Sequence, residues 1–122
     1  MMFGAKADPD RQLMEILINQ ALSVNDFTQL IDAIKLEATR LQPGWVAAVD
    51  LRGMWVDDPF INQQFEALQE ALLDSLAGKI GTLLDSDPIK MHLWQAGART
   101  RSNEITRRFY HLEEWERFLS QS

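Results

Sequence analysis

Five aspartates fall at positions where carboxylates could do chemistry: Asp50, Asp57, Asp58, Asp85 and Asp87. Each follows an apolar run typical of a buried strand, and open α/β sheets bind ligands at the carboxyl ends of their parallel strands. Clustered carboxylates there suit Mg²⁺, which would support phosphoryl chemistry. Asp58 and Asp87 each precede a proline, which is the pattern of a helix N-cap followed by proline at the first helical position. This capping interpretation is favoured, so the sequence predicts no metal and no other cofactor, and Mg²⁺-dependent phosphoryl chemistry ranks third among the functional hypotheses.

No other set of side chains in the sequence predicts catalysis. The stretch Asp85-Ser86-Asp87 resembles the aspartate-x-aspartate motif of haloacid-dehalogenase-type phosphatases, but proline follows it and little chain remains for the further lysine and acidic motifs of those enzymes. His92 and His111 lack the spacing of a metal site, and the chain has no cysteine. No serine stands in a nucleophile elbow, and no glycine-rich loop leads to a lysine. The sequence therefore predicts a protein that is not an enzyme.

The composition and charge of the chain limit the classes of partner that it is expected to bind. The 122 residues carry a net charge of −6, which opposes nucleic-acid binding because lysine and arginine supply the affinity for phosphates. No apolar stretch approaches the length that crosses a bilayer, so a cytoplasmic protein without a membrane span is expected. Residues 99–108 are locally basic and could meet an anionic ligand or an acidic partner. A solvated loop and a protected edge strand explain these arginines better.

The elements that must position these side chains can be recognised from periodicity. Two short apolar segments, residues 2–7 and 13–18, flank Asp8-Pro9-Asp10 and predict a hairpin. Ser23 supplies a capping oxygen before apolar residues at helical spacing that continue to Leu41. Residues 45–49 form a continuous apolar run, which is typical of a central strand covered on both faces.

The same alternation of predicted strands and helices continues to the end of the chain. A helix is predicted over residues 61–76 with Gly78 as its C′ residue, and a strand over 80–84. A shorter helix running from Asp87 to Gly97, a last strand over 105–110 and a terminal helix over 112–119 follow. The sequence thus predicts a single α/β domain over residues 1–122. Its mixed, mostly parallel sheet would carry the N-terminal hairpin within residues 1–22 and about four packed helices.

Three stretches give this pattern a family resemblance: Val49-Asp50-Leu51-Arg52-Gly53-Met54, Lys79-Ile80-Gly81-Thr82-Leu83-Leu84, and Arg108-Phe109-Tyr110 followed by residues 113–119. The first resembles a strand that ends in aspartate, and the last resembles an aromatic strand followed by an acidic helix that carries aromatic side chains. Together with the order of elements, they are similar to the STAS-like (anti-sigma-factor-antagonist-like) family of small bacterial domains. The resemblance implies a regulatory domain that binds a protein.

The resemblance also implies a particular position for regulation. In the anti-sigma-factor antagonists, a serine just after an aspartate, at the start of the helix that follows this strand, is the phosphorylation switch. Asp57 and Asp58 stand at the corresponding place here, so the hydroxyl group is missing. A carboxylate carries one negative charge against roughly −1.5 to −2 for a phosphate, so Asp58 would be a partial mimic of phosphoserine.

The leading hypothesis is a non-enzymatic regulatory or scaffolding domain that binds a protein partner through residues 52–60. The candidate contact residues are Arg52, Trp55, Asp57, Asp58 and Phe60. The alternative is a binder of a small apolar or lipid-like ligand, held between the sheet and helices that bear Phe65 and Trp94. A homodimer is compatible with either hypothesis.

Overall fold

An N-terminal hairpin is followed by parallel strands and helices in the described part of the chain. The computed structural model describes residues 3–54, 62–84 and 105–121. Within those residues the elements are β1 Phe3–Asp8, β2 Leu13–Ile18, α1 Val24–Ala38, β3 Trp45–Asp50, α2 Asn62–Asp74, β4 Ala77–Leu83, β5 Thr106–Phe109 and α3 Leu112–Ser120.

The predicted hairpin is confirmed. β1 pairs with β2 in antiparallel register, with Ala7 opposite Met14. The connecting turn is closed by Arg11 N–H donating to the Asp8 carbonyl at 3.2 Å. Gln12 completes the turn with a φ of 50°. Proline after Asp8 suits this turn because its fixed φ matches the early positions of a tight turn.

β3 occupies the middle of the sheet. The strand order is β1-β2-β3-β4-β5, and β2, β3, β4 and β5 run parallel to one another. Ala47, Ala48 and Val49 are all nearly inaccessible to solvent, so both faces of β3 are covered at these positions. This is the environment that the continuous apolar run predicted.

One face of the sheet, here called the front face, is covered by α1 and α2. Ser23 caps α1 with a reciprocal pair of hydrogen bonds to Asp26, as the sequence predicted for a capping oxygen at this position. The helices meet each other at Phe27 and Phe65, whose rings lie edge to face with centroids 5.3 Å apart. Both rings are buried within the main apolar core, together with Met14 of β2.

The predicted role of Gly78 as the C′ residue of α2 is wrong. The helix ends at Asp74, and Leu76 adopts the left-handed φ of 70° instead. Gly78 lies inside β4, where an added Cβ would sit 2.6 Å from the carbonyl oxygen of Gly44. Tertiary packing explains the difference, since Gly44 N–H donates to the Leu76 carbonyl at 2.8 Å and brings the two loops into contact.

The opposite face, here called the back face, carries α3 over β4. The indole Nε1 of Trp115 donates to the Gly81 carbonyl at 2.9 Å. Lys79 Nζ donates to the carbonyl oxygens of Phe118 and Gln121 at 2.7 and 2.6 Å, so it satisfies groups at the end of α3. The terminal helix is therefore held by a strand residue at its end and by an indole in its middle.

Some predicted elements lie outside the described residues. They are the start of the second helix at Asp58-Pro59, the shorter helix from Asp87 to Gly97, and the loop over residues 99–103. The described part of the chain holds three of the roughly four helices expected. None of the helices in that part is long and apolar enough to cross a membrane.

Candidate binding surfaces at the end of β3 and on the back face

A fixed, exposed guanidinium lies where β3 ends. Arg52 Nε and Nη2 donate to the two carboxylate oxygens of Asp50 at 3.1 and 3.0 Å, and the backbone N–H of Arg52 donates to the same carboxylate at 3.1 Å. The hydrogen bond to Asp50 raises the pKa of Arg52 above its ordinary value, with a smaller Coulombic contribution from the same carboxylate. The Arg52 side chain is 49% exposed and that of Asp50 19% exposed. This edge therefore presents an arginine whose orientation is set before any partner arrives.

The backbone around Arg52 is held tightly. Leu51 and Met54 are buried on either side of the turn, and Met54 N–H donates to the Leu51 carbonyl at 3.1 Å. A Cβ on Gly53 would collide with the side-chain amide of Asn19 and lie 3.1 Å from Asn19 Cα. The loop after β3 thus packs directly on the loop after β2, and any larger residue at position 53 would force the Asn19 side chain to move. Sequence reasoning did not find this contact, because nothing local links the two loops.

Only one of the five predicted contact residues lies in the described part of the chain. Arg52 lies at the exposed end of β3. Trp55, Asp57, Asp58 and Phe60 lie outside the described residues.

Of the five aspartates considered as a metal site, only Asp50 lies among the described residues. Asp50 lies at the carboxyl end of β3, as expected, and is committed to Arg52. Asp85 and Asp87, like Asp57 and Asp58, lie outside the described residues. In the described ranges, no group of three or more carboxylate or imidazole side chains could hold a metal ion.

A groove opens on the back face between β2 and α3. Its volume is about 340 Å³, and it is lined by Arg11, Leu13, Glu15, Ile16, Leu17, Ala48, Asp50, Trp115, Glu116 and Leu119. Leu13, Glu15 and Leu17 alternate with the core residues of β2, so they point to the back face. Their neighbours in the register of β3 are Val46, Ala48 and Asp50. The floor of the groove is therefore apolar except for Glu15, and it reaches the end of β3 at Asp50.

The back-face groove was not predicted from the sequence. The alternation of Leu13, Glu15 and Leu17 was visible in the sequence and indicates a strand with one mixed face. It does not say whether a helix covers that face. The answer depends on where α3 docks, which is set by the contacts of Lys79 with Phe118 and of Gly81 with Trp115, 39 and 34 positions further along the chain.

The space beside Phe65 was the predicted location of an apolar ligand. The Phe65 ring is 1% exposed and packs against Phe27. A ligand at that point would have to displace these rings. Trp94, the other residue proposed to bind that ligand, lies outside the described residues.

The basic segment near the end of the chain forms a sheet edge where it is described. β5 pairs with β4 at the border of the sheet. Arg107 and Arg108 are both exposed on this strand. Their position agrees with the interpretation that they protect an edge strand from pairing with other chains.

A hairpin that leads into parallel strands, two helices on the front face and a terminal helix on the back face together define a STAS-like α/β fold. The chain is similar to a solved structure described as an anti-sigma-factor antagonist (STAS) domain protein from Planctomyces limnophilus. The TM-score is 0.65 at 15% sequence identity, over 98% of this chain and 100% of that chain. The predicted resemblance and fold class are thereby confirmed. Neither a protein-family model nor a curated protein sequence matches the chain, so at this identity the likeness establishes the fold.

Proposed function

We propose that this protein is a non-enzymatic regulatory or scaffolding domain that captures a protein partner through residues 52–60. The observation that carries the proposal is the prearranged guanidinium of Arg52, bound at both ends of the Asp50 carboxylate and still half exposed. Arginine is enriched among the residues that dominate protein interfaces. Holding it in place before binding reduces the entropy lost when a partner docks.

The fold supports the same class of function. The similar solved protein is described as an anti-sigma-factor antagonist domain, which is a protein that acts on another protein. The surface proposed here follows the strand that ends in Asp50. It includes Asp57 and Asp58, to which the family resemblance assigns the place of the regulatory switch. We therefore assign the partner surface to this edge of the sheet.

The other proposed contacts rest on their residue types. Trp55 and Phe60 offer large apolar area, which is typical of the centre of an interface. By the family resemblance, Asp57 and Asp58 correspond to the place of the switchable serine. A permanent carboxylate at this place makes partner binding independent of phosphorylation, since no hydroxyl is present to accept a phosphate.

Replacement of the proposed contacts tests this function. The double variant Trp55→Ala/Asp58→Asn is compared with the wild-type protein as bait for quantitative capture from lysate of the source cells. We expect a partner protein that is enriched by the wild type to be lost from the variant, while thermal stability stays nearly unchanged. The matched control is Leu36→Ala, which truncates an exposed side chain on α1. Equal capture by the double variant and the wild type would contradict the proposal.

A further inference from the structure

We infer that the back-face groove binds a basic, amphipathic peptide segment of a protein partner. The groove lies on the other side of the sheet from α1 and α2, and it is a different surface from residues 52–60. Its volume of about 340 Å³ is within the range that accommodates a few side chains. The inference rests on three observations: an exposed leucine in the floor, more carboxylates than cations in the lining, and an indole that is fixed in the wall.

The floor of the groove is open at Leu17, whereas Leu13, Ile16 and Ala48 are buried beneath it. Leu17 is 41% exposed although β2 is an interior strand of the sheet. Its neighbour in β1 is Gly4, and a Cβ built on Gly4 would have no described atom within 4 Å. The back face above these two residues is therefore uncovered by the described chain, and a ligand can reach the Leu17 side chain from solution.

The charges of the groove favour a cationic ligand. Glu15, Asp50 and Glu116 line it, against one cation, Arg11. Asp50 is already paired with Arg52. For the carboxylates of Glu15 and Glu116, the structure records no ion pair and no hydrogen bond among the described residues. Lys6 is the cross-strand neighbour of Glu15 but forms no ion pair with it. Arginine or lysine side chains of a ligand can therefore pair with Glu15 and Glu116, whereas an anionic ligand would meet like charge.

Trp115 forms a rigid wall of the groove. Its indole N–H is committed to the Gly81 carbonyl, which fixes the plane of the ring. A fixed indole provides a surface for an apolar side chain, and its face attracts a guanidinium or ammonium group. Leu119, one turn further along α3, extends this wall. The exposed leucine, the carboxylates and the aromatic wall together match a segment that alternates basic and apolar side chains.

Binding in the groove does not require that residues 52–60 bind anything, and the test separates the two surfaces. The probes are a short peptide that alternates leucine and lysine, and a matched peptide that alternates leucine and glutamate. Binding is measured by calorimetry and by shifts of backbone amide NMR signals in the full chain. We expect saturable binding of the lysine peptide, with the largest shifts at Glu15, Leu17 and the Trp115 indole, and binding at least about tenfold weaker for the glutamate peptide.

Two variants locate the site. The first, Leu17→Arg, places a cation in the floor at an exposed position, and the second, Glu15→Lys/Glu116→Lys, reverses the charge of the rim. Each variant should bind the lysine peptide about tenfold or more weakly than the wild type. The control Leu36→Arg, at a 70% exposed position on α1, should leave affinity unchanged. Circular dichroism and thermal unfolding establish that each variant is folded before it is titrated.

Several results would overturn the inference. These are no binding of the lysine peptide at millimolar concentration, equal affinity for both peptides, or shifts that cluster away from β2 and α3. Preferential binding of phosphatidylserine vesicles over the lysine peptide would also overturn it, in favour of a lipid surface. The variant Arg52→Ala removes the partner of Asp50, which lines the groove, so it is expected to retain or slightly strengthen peptide affinity. Loss of peptide binding in that variant would place the peptide at the end of β3 and reject the groove as a separate site.

Discussion

The indole N–H of Trp115 reaches across the back of the sheet to the carbonyl oxygen of Gly81, at 2.9 Å. This bond brings α3 so close to β4 that an added Cβ on Gly81 would lie 3.0 Å from the Phe118 ring and 3.1 Å from Leu119. No residue of α3 is fully buried, so the helix depends on a few specific contacts for its position. The shape of the back-face groove depends on the same contacts.

Replacing Gly81 by alanine should loosen α3. The new methyl group crowds Phe118 and Leu119, and we expect a loss of about 1–3 kcal/mol in the free energy of unfolding. Urea unfolding measures it, and faster amide exchange in α3 would show where the effect lies. Gly4→Ala is the matched control, because a Cβ there meets no described atom within 4 Å. That variant should be neutral or slightly stabilising, and an equal loss in both variants would contradict the close-approach argument.

Thr82 is completely buried in β4, and its hydroxyl has no hydrogen-bond partner among the described residues. We expect Thr82→Val to raise the free energy of unfolding by about 1 kcal/mol, because the uncompensated hydroxyl is removed while the branched shape is kept. The reciprocal variant is Val49→Thr, at the neighbouring register position in β3. It should destabilise by about 1–3 kcal/mol. Thermal unfolding distinguishes the two, and a loss of stability in Thr82→Val would show that the hydroxyl is satisfied.

Glu37 protects the outer edge of β1. Its carboxylate accepts a hydrogen bond of 3.0 Å from the backbone N–H of Ala7. Glu37→Ala should leave this donor unpaired, cost about 1 kcal/mol in stability and promote pairing between chains at the edge. Glu37→Gln keeps an acceptor and should remain close to wild type. Sedimentation at increasing concentration measures self-association, and identical behaviour of the two variants would argue against the capping role.

Leu76 adopts a left-handed backbone conformation with a φ of 70°, although its side chain is 57% exposed and gains little from packing. Glycine adopts this conformation without a steric penalty, so Leu76→Gly should stabilise the protein by about 1 kcal/mol. Leu36→Gly, in the right-handed helix α1, should instead destabilise by a similar amount. Chemical denaturation measures the free energy of unfolding of both variants. A destabilised Leu76→Gly variant would mean that the leucine contributes more through packing than its conformation costs.

Local chemistry accounts for the parts of the fold that could be predicted from the sequence. Pro9 marks the hairpin turn, and Ser23 marks the start of α1. The unbroken apolar run of residues 45–49 predicted a central strand, because only a strand covered on both faces lacks polar alternation. Each of these signals lies within a few residues of the feature that it predicts.

The features that could not be predicted depend on contacts between distant segments. Gly78 satisfies the local rule for a helix end, but its actual constraint is the approach of Gly44, more than thirty residues earlier. Arg52 was a candidate contact residue on the basis of its loop, whereas its bidentate pairing with Asp50 emerged only from the geometry of the turn. The back-face groove was missed for the same reason, since it exists only where α3 stops short of β2.

The affinity of the captured partner for an Arg52→Ala variant tests the central claim most directly. Exposed ion pairs contribute little to folding, so the variant should lose under about 1 kcal/mol of stability. We expect its dissociation constant for the purified partner to rise by about tenfold or more, because a prearranged arginine is removed from the interface. The control Arg40→Ala removes another exposed, ion-paired arginine at the opposite end of the sheet and should bind as the wild type does. Unchanged affinity in Arg52→Ala would contradict the assignment of the partner surface to the end of β3.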